Sequence, residues 1–124
     1  MYYVDATAST WSPPPDVLML SIDDAAPKQK KNPRIKVAGY QYELDSAIVR
    51  DNTGNHFCIM LTCGGKEMAF DGAAFTRLRA VKWKGWLNKN RNWSFEGSTR
   101  YAGRPELFKW NFQKGYQMLF YYRV

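Results

Sequence analysis

Strand-like patterns dominate the hydrophobic positions of the chain. Val17–Ile22 is a nearly continuous apolar run, which is typical of a buried strand. Strand-forming residues return over residues 35–50, where Tyr40, Tyr42 and Leu44 alternate with polar neighbours. Such alternation predicts a strand with one face buried and one face exposed.

Residues 56–70 show the clearest local signal in the chain, a β-hairpin. A strand is predicted over residues 56–62 and a returning strand over residues 67–70, with Cys63, Gly64, Gly65 and Lys66 forming the turn. Two adjacent glycines suit a tight hairpin turn because they adopt positive φ angles at little cost.

The remaining segments set the predicted fold class. Residues 1–12 are expected to form an extended entry ahead of a proline run, and residues 72–90 fit a helical face only loosely. Residues 116–124 are rich in β-formers and predict a terminal strand at the centre of its sheet. We therefore expect an α+β domain, a mainly antiparallel β-sheet with one or two short helices.

The length and composition of the chain indicate a folded domain. A length of 124 residues fits a single domain or half-domain, and 45% hydrophobic with 16% aromatic residues excludes a disordered tail. No apolar run is long enough to cross a bilayer, and the N-terminus lacks the pattern of a secretory signal. We expect a cytoplasmic or nuclear protein without a membrane partner.

His56 and Asp71 are the candidate catalytic residues. His56 is the single histidine and heads one strand of the hairpin, while Asp71 follows the other strand. A hairpin can bring them together as an imidazole and an orienting carboxylate, two thirds of a nucleophilic triad. The alternative is a polar loop histidine and a turn-forming aspartate. One histidine and two cysteines are too few for a structural zinc site, so no metal and no cofactor is expected.

Five segments, in order along the chain, carry a resemblance to a known family. They are PPDVLML at residues 14–20, YELDSAIV at residues 42–49, GNHFCIM at residues 54–60, AFDG at residues 69–72 and GYQMLFYYR at residues 115–123. Together they resemble the C-terminal, histidine-bearing half of ubiquitin-specific proteases, which are papain-like cysteine peptidases. The resemblance implies the fold of the C-terminal lobe of such a protease.

The same resemblance implies a function and a set of site residues. His56 would deprotonate a cysteine, Asp71 would orient the histidine, and Asn55 and Phe57 would contact the tail of ubiquitin or a ubiquitin-like modifier. Nothing in the chain matches the family's nucleophile segment, and Cys58 is expected to pack in the core. The chain alone is expected to be inactive, and a cysteine-bearing segment or self-association would complete it.

The charge of the chain supports a different function, nucleic-acid binding, although burial in the core is the favoured explanation for the tryptophans of its basic segment. The net charge is +7, and basic and aromatic residues interleave in a predicted Trp-rich insertion over residues 77–105. A third alternative is a non-catalytic domain that binds a protein partner. The candidate nucleic-acid contacts are Lys82, Trp83, Lys84, Trp86, Lys89, Arg91 and Trp93.

Overall fold

A computed structural model describes residues 13–23, 26–51, 56–71, 78–95 and 108–124 of the chain. These residues form a seven-stranded antiparallel sheet and one short 3-10 helix, Trp83–Trp86. The strands are β1 (Val17–Ile22), β2 (Arg34–Val37), β3 (Tyr40–Arg50), β4 (Phe57–Cys63), β5 (Lys66–Phe70), β6 (Arg79–Ala80) and β7 (Gln117–Arg123).

The sheet order is β1-β7-β3-β4-β5-β6, and β2 pairs with the start of β3. β7 therefore lies between β1 and β3, which confirms the central position predicted for the terminal strand. The predicted strand over residues 35–50 is divided in two by a turn at Ala38 and Gly39, both with positive φ. The hairpin of β4 and β5 is present, with Cys63 paired to Lys66 across the turn.

The α+β assignment is wrong, because the described residues form a mainly-β domain. Their single helical element is the four-residue 3-10 helix. The backbone around it is held by the sheet edge: the Val81 N–H donates to the Glu67 carbonyl, and the Lys84 N–H donates to the Glu67 carboxylate. These long-range bonds replace the local bonds that an α-helix requires. Across the described ranges, no helix has the length and apolar character needed to cross a membrane.

One face of the sheet carries the core, and aromatic side chains from residues 78–95 and 108–112 cover it. Trp93 and Trp110 form an isolated bridge with two backbone hydrogen bonds of 2.9 Å. The described part of the predicted insertion therefore helps to build the core. The buried hydrophobic side chains on this cover are Trp83, Leu87, Trp93, Phe95, Trp110 and Phe112.

Lys31 is a fully buried lysine that ties loops to one another at one end of the domain. Its ammonium donates to the carbonyl oxygens of Pro27 at 2.7 Å, Gln29 at 3.2 Å and Phe112 at 2.6 Å. Burial lowers the pKa of Lys31 from its ordinary 10.5 to about 8, since removal from water disfavours the charged form.

We expect the contribution of Lys31 to the free energy of unfolding to increase as the pH rises from about 8 to 10.5. In this window the unfolded lysine keeps a proton that the folded one has lost, so the unfolded state binds more protons and the free energy of unfolding increases with pH. The gain over the window is ~3 kcal/mol. Denaturant unfolding of the wild type and of Lys31→Met measures it. A wild-type minus variant difference that stays constant across the window would contradict the prediction.

Candidate active site

The geometry of one hairpin positions His56 and Asp71. His56 immediately precedes β4, and Asp71 immediately follows β5. The register pairs Ile59 with Phe70, so its continuation places Asp71 opposite Cys58. His56 lies two residues from Cys58 and therefore diagonal to Asp71 on the same face, within reach of a long side chain.

The His56 imidazole and the Asp71 carboxylate are in direct contact through Nε2 and Oδ1. The Asp71 side chain is completely buried, whereas the His56 side chain is 27% exposed. A carboxylate accepts a hydrogen bond, so the contact favours the tautomer with the proton on Nε2. Nδ1 then carries the lone pair, and it has no hydrogen-bond partner among the described residues. The site thus combines a proton-accepting nitrogen, Nδ1 of His56, with the buried carboxylate of Asp71 at Nε2.

Two aromatic rings from the segment after residue 107 orient the imidazole. Phe108 stacks on His56 with ring centroids 4.4 Å apart and an interplanar angle of 24°, and Trp110 lies 5.8 Å away at 50°. Sequence reasoning missed both residues, because they lie about fifty positions from His56. Together they fix the plane of the ring.

Hydrogen bonds also fix the backbone of His56. Its carbonyl accepts from the Asp51 N–H at 2.8 Å and from the Trp110 indole N–H at 3.2 Å. Its own N–H donates to the Asp51 carboxylate at 3.4 Å, and Asp51 is itself buried at the end of β3. These bonds close the end of β3 onto the start of β4.

Neither cysteine of the chain is placed to act as a nucleophile with His56. Cys58 is buried, and burial raises the pKa of its thiol far above the ordinary range, with the negative charge of Asp71 adding to the effect. Cys63 is exposed at the opposite end of β4, about 20 Å from His56 along the strand. A thiolate that acts with His56 would have to come from a residue other than these two cysteines.

Asn55 and Phe57 are the candidate contacts for the tail of the modifier. Asn55 lies outside the described residues. Phe57 is 41% exposed, and because it alternates with the buried Cys58 it faces away from the core.

The seven candidate nucleic-acid contacts do not share one environment. Trp83 and Trp93 are buried in the core and present no face on which a base can stack. Trp86 is half-buried, and the Arg91 guanidinium lies 4.7 Å from the centre of its ring. Lys84 is also half-buried, while Lys82, Lys89 and Arg91 are exposed. The burial of the two tryptophans explains much of the aromatic content of this segment.

The chain matches no protein-family model, no curated protein and no solved structure. Within the described ranges, no three His, Cys, Asp or Glu side chains converge to hold a metal ion. The contacts of His56 therefore define the chemistry of the site. Nδ1 is a proton acceptor, Nε2 contacts a carboxylate, and the Phe108 ring stacks on the imidazole.

Proposed function

We propose that His56 and Asp71 are the general base and orienting carboxylate of a cysteine peptidase that removes ubiquitin or a ubiquitin-like modifier. The nucleophilic cysteine belongs to a segment or chain other than these 124 residues. The observation that carries the proposal is the contact between a partly exposed imidazole and a fully buried carboxylate, which leaves Nδ1 as the proton-accepting nitrogen.

The proposed reaction has two stages, and His56 moves a proton in each. The cysteine thiol gives its proton to Nδ1, and the thiolate attacks the carbonyl carbon at the end of the modifier. The carbon–nitrogen bond breaks, and His56 returns the proton to the leaving amine. Water then gives a proton to His56 and attacks the thioester, which releases the modifier and regenerates the thiol. Asp71 stabilises the imidazolium at both stages.

The distribution of exposure favours a catalytic pair over a purely structural ion pair. A structural ion pair repays the cost of burying its charges only when both partners are fully hydrogen-bonded. Here only Asp71 is buried, and the basic nitrogen of His56 lacks a partner among the described residues. The stacked Phe108 ring and the bonds to the His56 carbonyl hold the imidazole in one orientation, as proton transfer requires.

The choice of substrate rests on the resemblance to ubiquitin-specific proteases. The residues of that resemblance fall on β1, β3, the hairpin of β4 and β5, and β7. In that resemblance, His56 and Asp71 would correspond to the family's base and orienting residue.

Labelling by a ubiquitin probe with a thiol-reactive C-terminus tests the proposed function. We expect the 124-residue chain to remain unlabelled and a longer form of the gene product that carries the cysteine to be labelled. His56→Ala should abolish labelling of that form. Cys63→Ser is the matched control, because it removes the exposed thiol at the far end of β4 and should leave labelling unchanged. Labelling that survives His56→Ala, or probes for ubiquitin and ubiquitin-like modifiers that all fail to react, would overturn the proposal.

A further inference from the structure

Three loops that are distant in sequence meet around the buried Lys31. They comprise residues 26–32, 87–92 and 111–116, and together we name them the three-loop surface. The Lys31 ammonium joins the first loop to the third through the Phe112 carbonyl. The side chain of Asn88 joins the first loop to the second, since it accepts from the Lys31 N–H at 2.7 Å and donates to the Lys31 carbonyl at 2.8 Å.

A second buried side chain connects the second and third loops. The amide nitrogen of Asn111 donates to the side-chain oxygens of Asn90 at 2.8 Å and Asn92 at 2.9 Å. The Asn111 side-chain oxygen accepts from the Gln113 N–H at 2.7 Å. Because Asn111 is fully buried, these bonds hold the loops in a fixed relation to one another.

The three-loop surface carries basic charge without acidic charge. Its three sequence ranges contain six basic residues and no aspartate or glutamate. Lys31 is buried among carbonyls, and the other five side chains are exposed to solvent. Basic residues at positions 28–31 and 89–91, which are far apart in the sequence, thus belong to loops that meet in the fold. The exposed cations are Lys28, Lys30, Lys89, Arg91 and Lys114.

We propose that the three-loop surface binds nucleic acid through its phosphate groups. Lysine and arginine side chains on a fixed scaffold neutralise successive phosphates, and exposed asparagine amides can donate to phosphate or sugar oxygens. Asn32, Asn88, Asn90 and Asn92 are exposed residues of the same loops.

A nucleic acid suits this surface better than an acidic protein does. Protein interfaces depend on buried apolar or aromatic anchors at their centre. The large hydrophobic side chains exposed in the described part of the chain are Val17, Met19, Tyr40, Phe57, Leu78, Tyr122 and Val124, and none belongs to the three loops. A surface with cations and amides but no apolar anchor fits a phosphate backbone.

This binding goes beyond the proposed peptidase activity and uses neither His56 nor Asp71. The test measures fluorescence anisotropy of labelled single-stranded and double-stranded RNA and DNA against the whole chain, over a series of salt concentrations. Lys30→Gln with Lys89→Gln is compared with Lys36→Gln with Lys66→Gln. All four lysines are exposed and both double variants lower the net charge equally, so the two proteins differ only in the place of the change.

We expect the wild type to bind with an affinity that falls steeply with salt. The Lys30/Lys89 variant should bind roughly tenfold or more weakly at about 0.1 M salt, with a salt slope reduced by about two. The Lys36/Lys66 variant should stay within about twofold of the wild type, and His56→Ala should bind normally. Equal losses in the two double variants, or no binding at low salt, would overturn the proposal. Binding of poly-glutamate but not of nucleic acid would overturn it in favour of an acidic protein.

Discussion

Replacing Asp71 by alanine is expected to slow probe labelling of the cysteine-containing form by roughly 10⁴-fold. The carboxylate holds Nε2 of His56 and leaves Nδ1 as the base. Without it the imidazole is free to change tautomer, and the imidazolium that forms during proton transfer loses its buried counter-charge. The second-order rate constant of labelling by the ubiquitin probe measures this effect.

Asp71→Asn is the matched control for that substitution. Asparagine has the same shape and keeps an oxygen that can accept from Nε2–H, but it carries no charge. We expect a labelling rate between those of the wild type and Asp71→Ala. Thermal unfolding of all three proteins separates catalytic loss from misfolding. If Asp71→Ala folds and is labelled at the wild-type rate, Asp71 has no part in the chemistry.

The largest effect on stability is expected for Trp83→Ala, at ~3–5 kcal/mol of unfolding free energy. Trp83 is fully buried, its ring lies 6.3 Å from that of Phe112, and its indole N–H donates to the Leu61 carbonyl at 2.9 Å. The substitution leaves a large cavity over the sheet and removes the donor to Leu61. Urea unfolding followed by far-ultraviolet circular dichroism measures the loss.

Trp86→Ala provides the comparison, because Trp86 ends the same 3-10 helix. Its ring is half-buried and contacts Trp93 at 5.3 Å and the Arg91 guanidinium. Less apolar surface is buried, so the loss should be less than half of that for Trp83→Ala. A loss for Trp83→Ala no larger than that for Trp86→Ala would contradict the prediction.

The parts of the fold that depend on local chemistry could be predicted from the sequence. The Gly64-Gly65 turn has positive φ at both positions, as a tight hairpin requires, and it sets the register of β4 and β5. The apolar run Val17–Ile22 and the β-formers of Gln117–Arg123 are strands for the same reason, since their side chains suit a pleated, partly buried surface.

The α+β prediction is wrong because long-range pairing, rather than the local pattern, decides the structure of residues 78–90. Residues 78–90 have a loose helical pattern, but Arg79 and Ala80 pair with β5, and the Glu67 carboxylate binds the Lys84 N–H. A local sequence pattern does not show that residues of β5, ten or more positions earlier, form hydrogen bonds with these backbone groups. The burial of Trp83 and Trp93, in contrast, was accessible from the sequence, because a small β-rich domain needs its aromatic residues for the core.

Only part of the candidate site could be predicted from the sequence. The pairing of His56 with Asp71 is a short-range property of one hairpin and was accessible from the sequence. The stacking of Phe108 on His56 and the bond from the Trp110 indole depend on a segment that returns after fifty residues. The role of Lys31 was equally hidden, because a lysine in a charged stretch is ordinarily exposed.

The proposed function depends most on the contact in which Asp71 holds Nε2 of His56 and leaves Nδ1 as the proton acceptor. Long-range ¹H–¹⁵N correlation spectra of the single histidine, recorded on the 124-residue chain, test this arrangement directly. We predict one tautomer with the proton on Nε2, and a mixture of tautomers in Asp71→Ala. A proton on Nδ1 in the wild type, or identical spectra for the two proteins, would contradict the account.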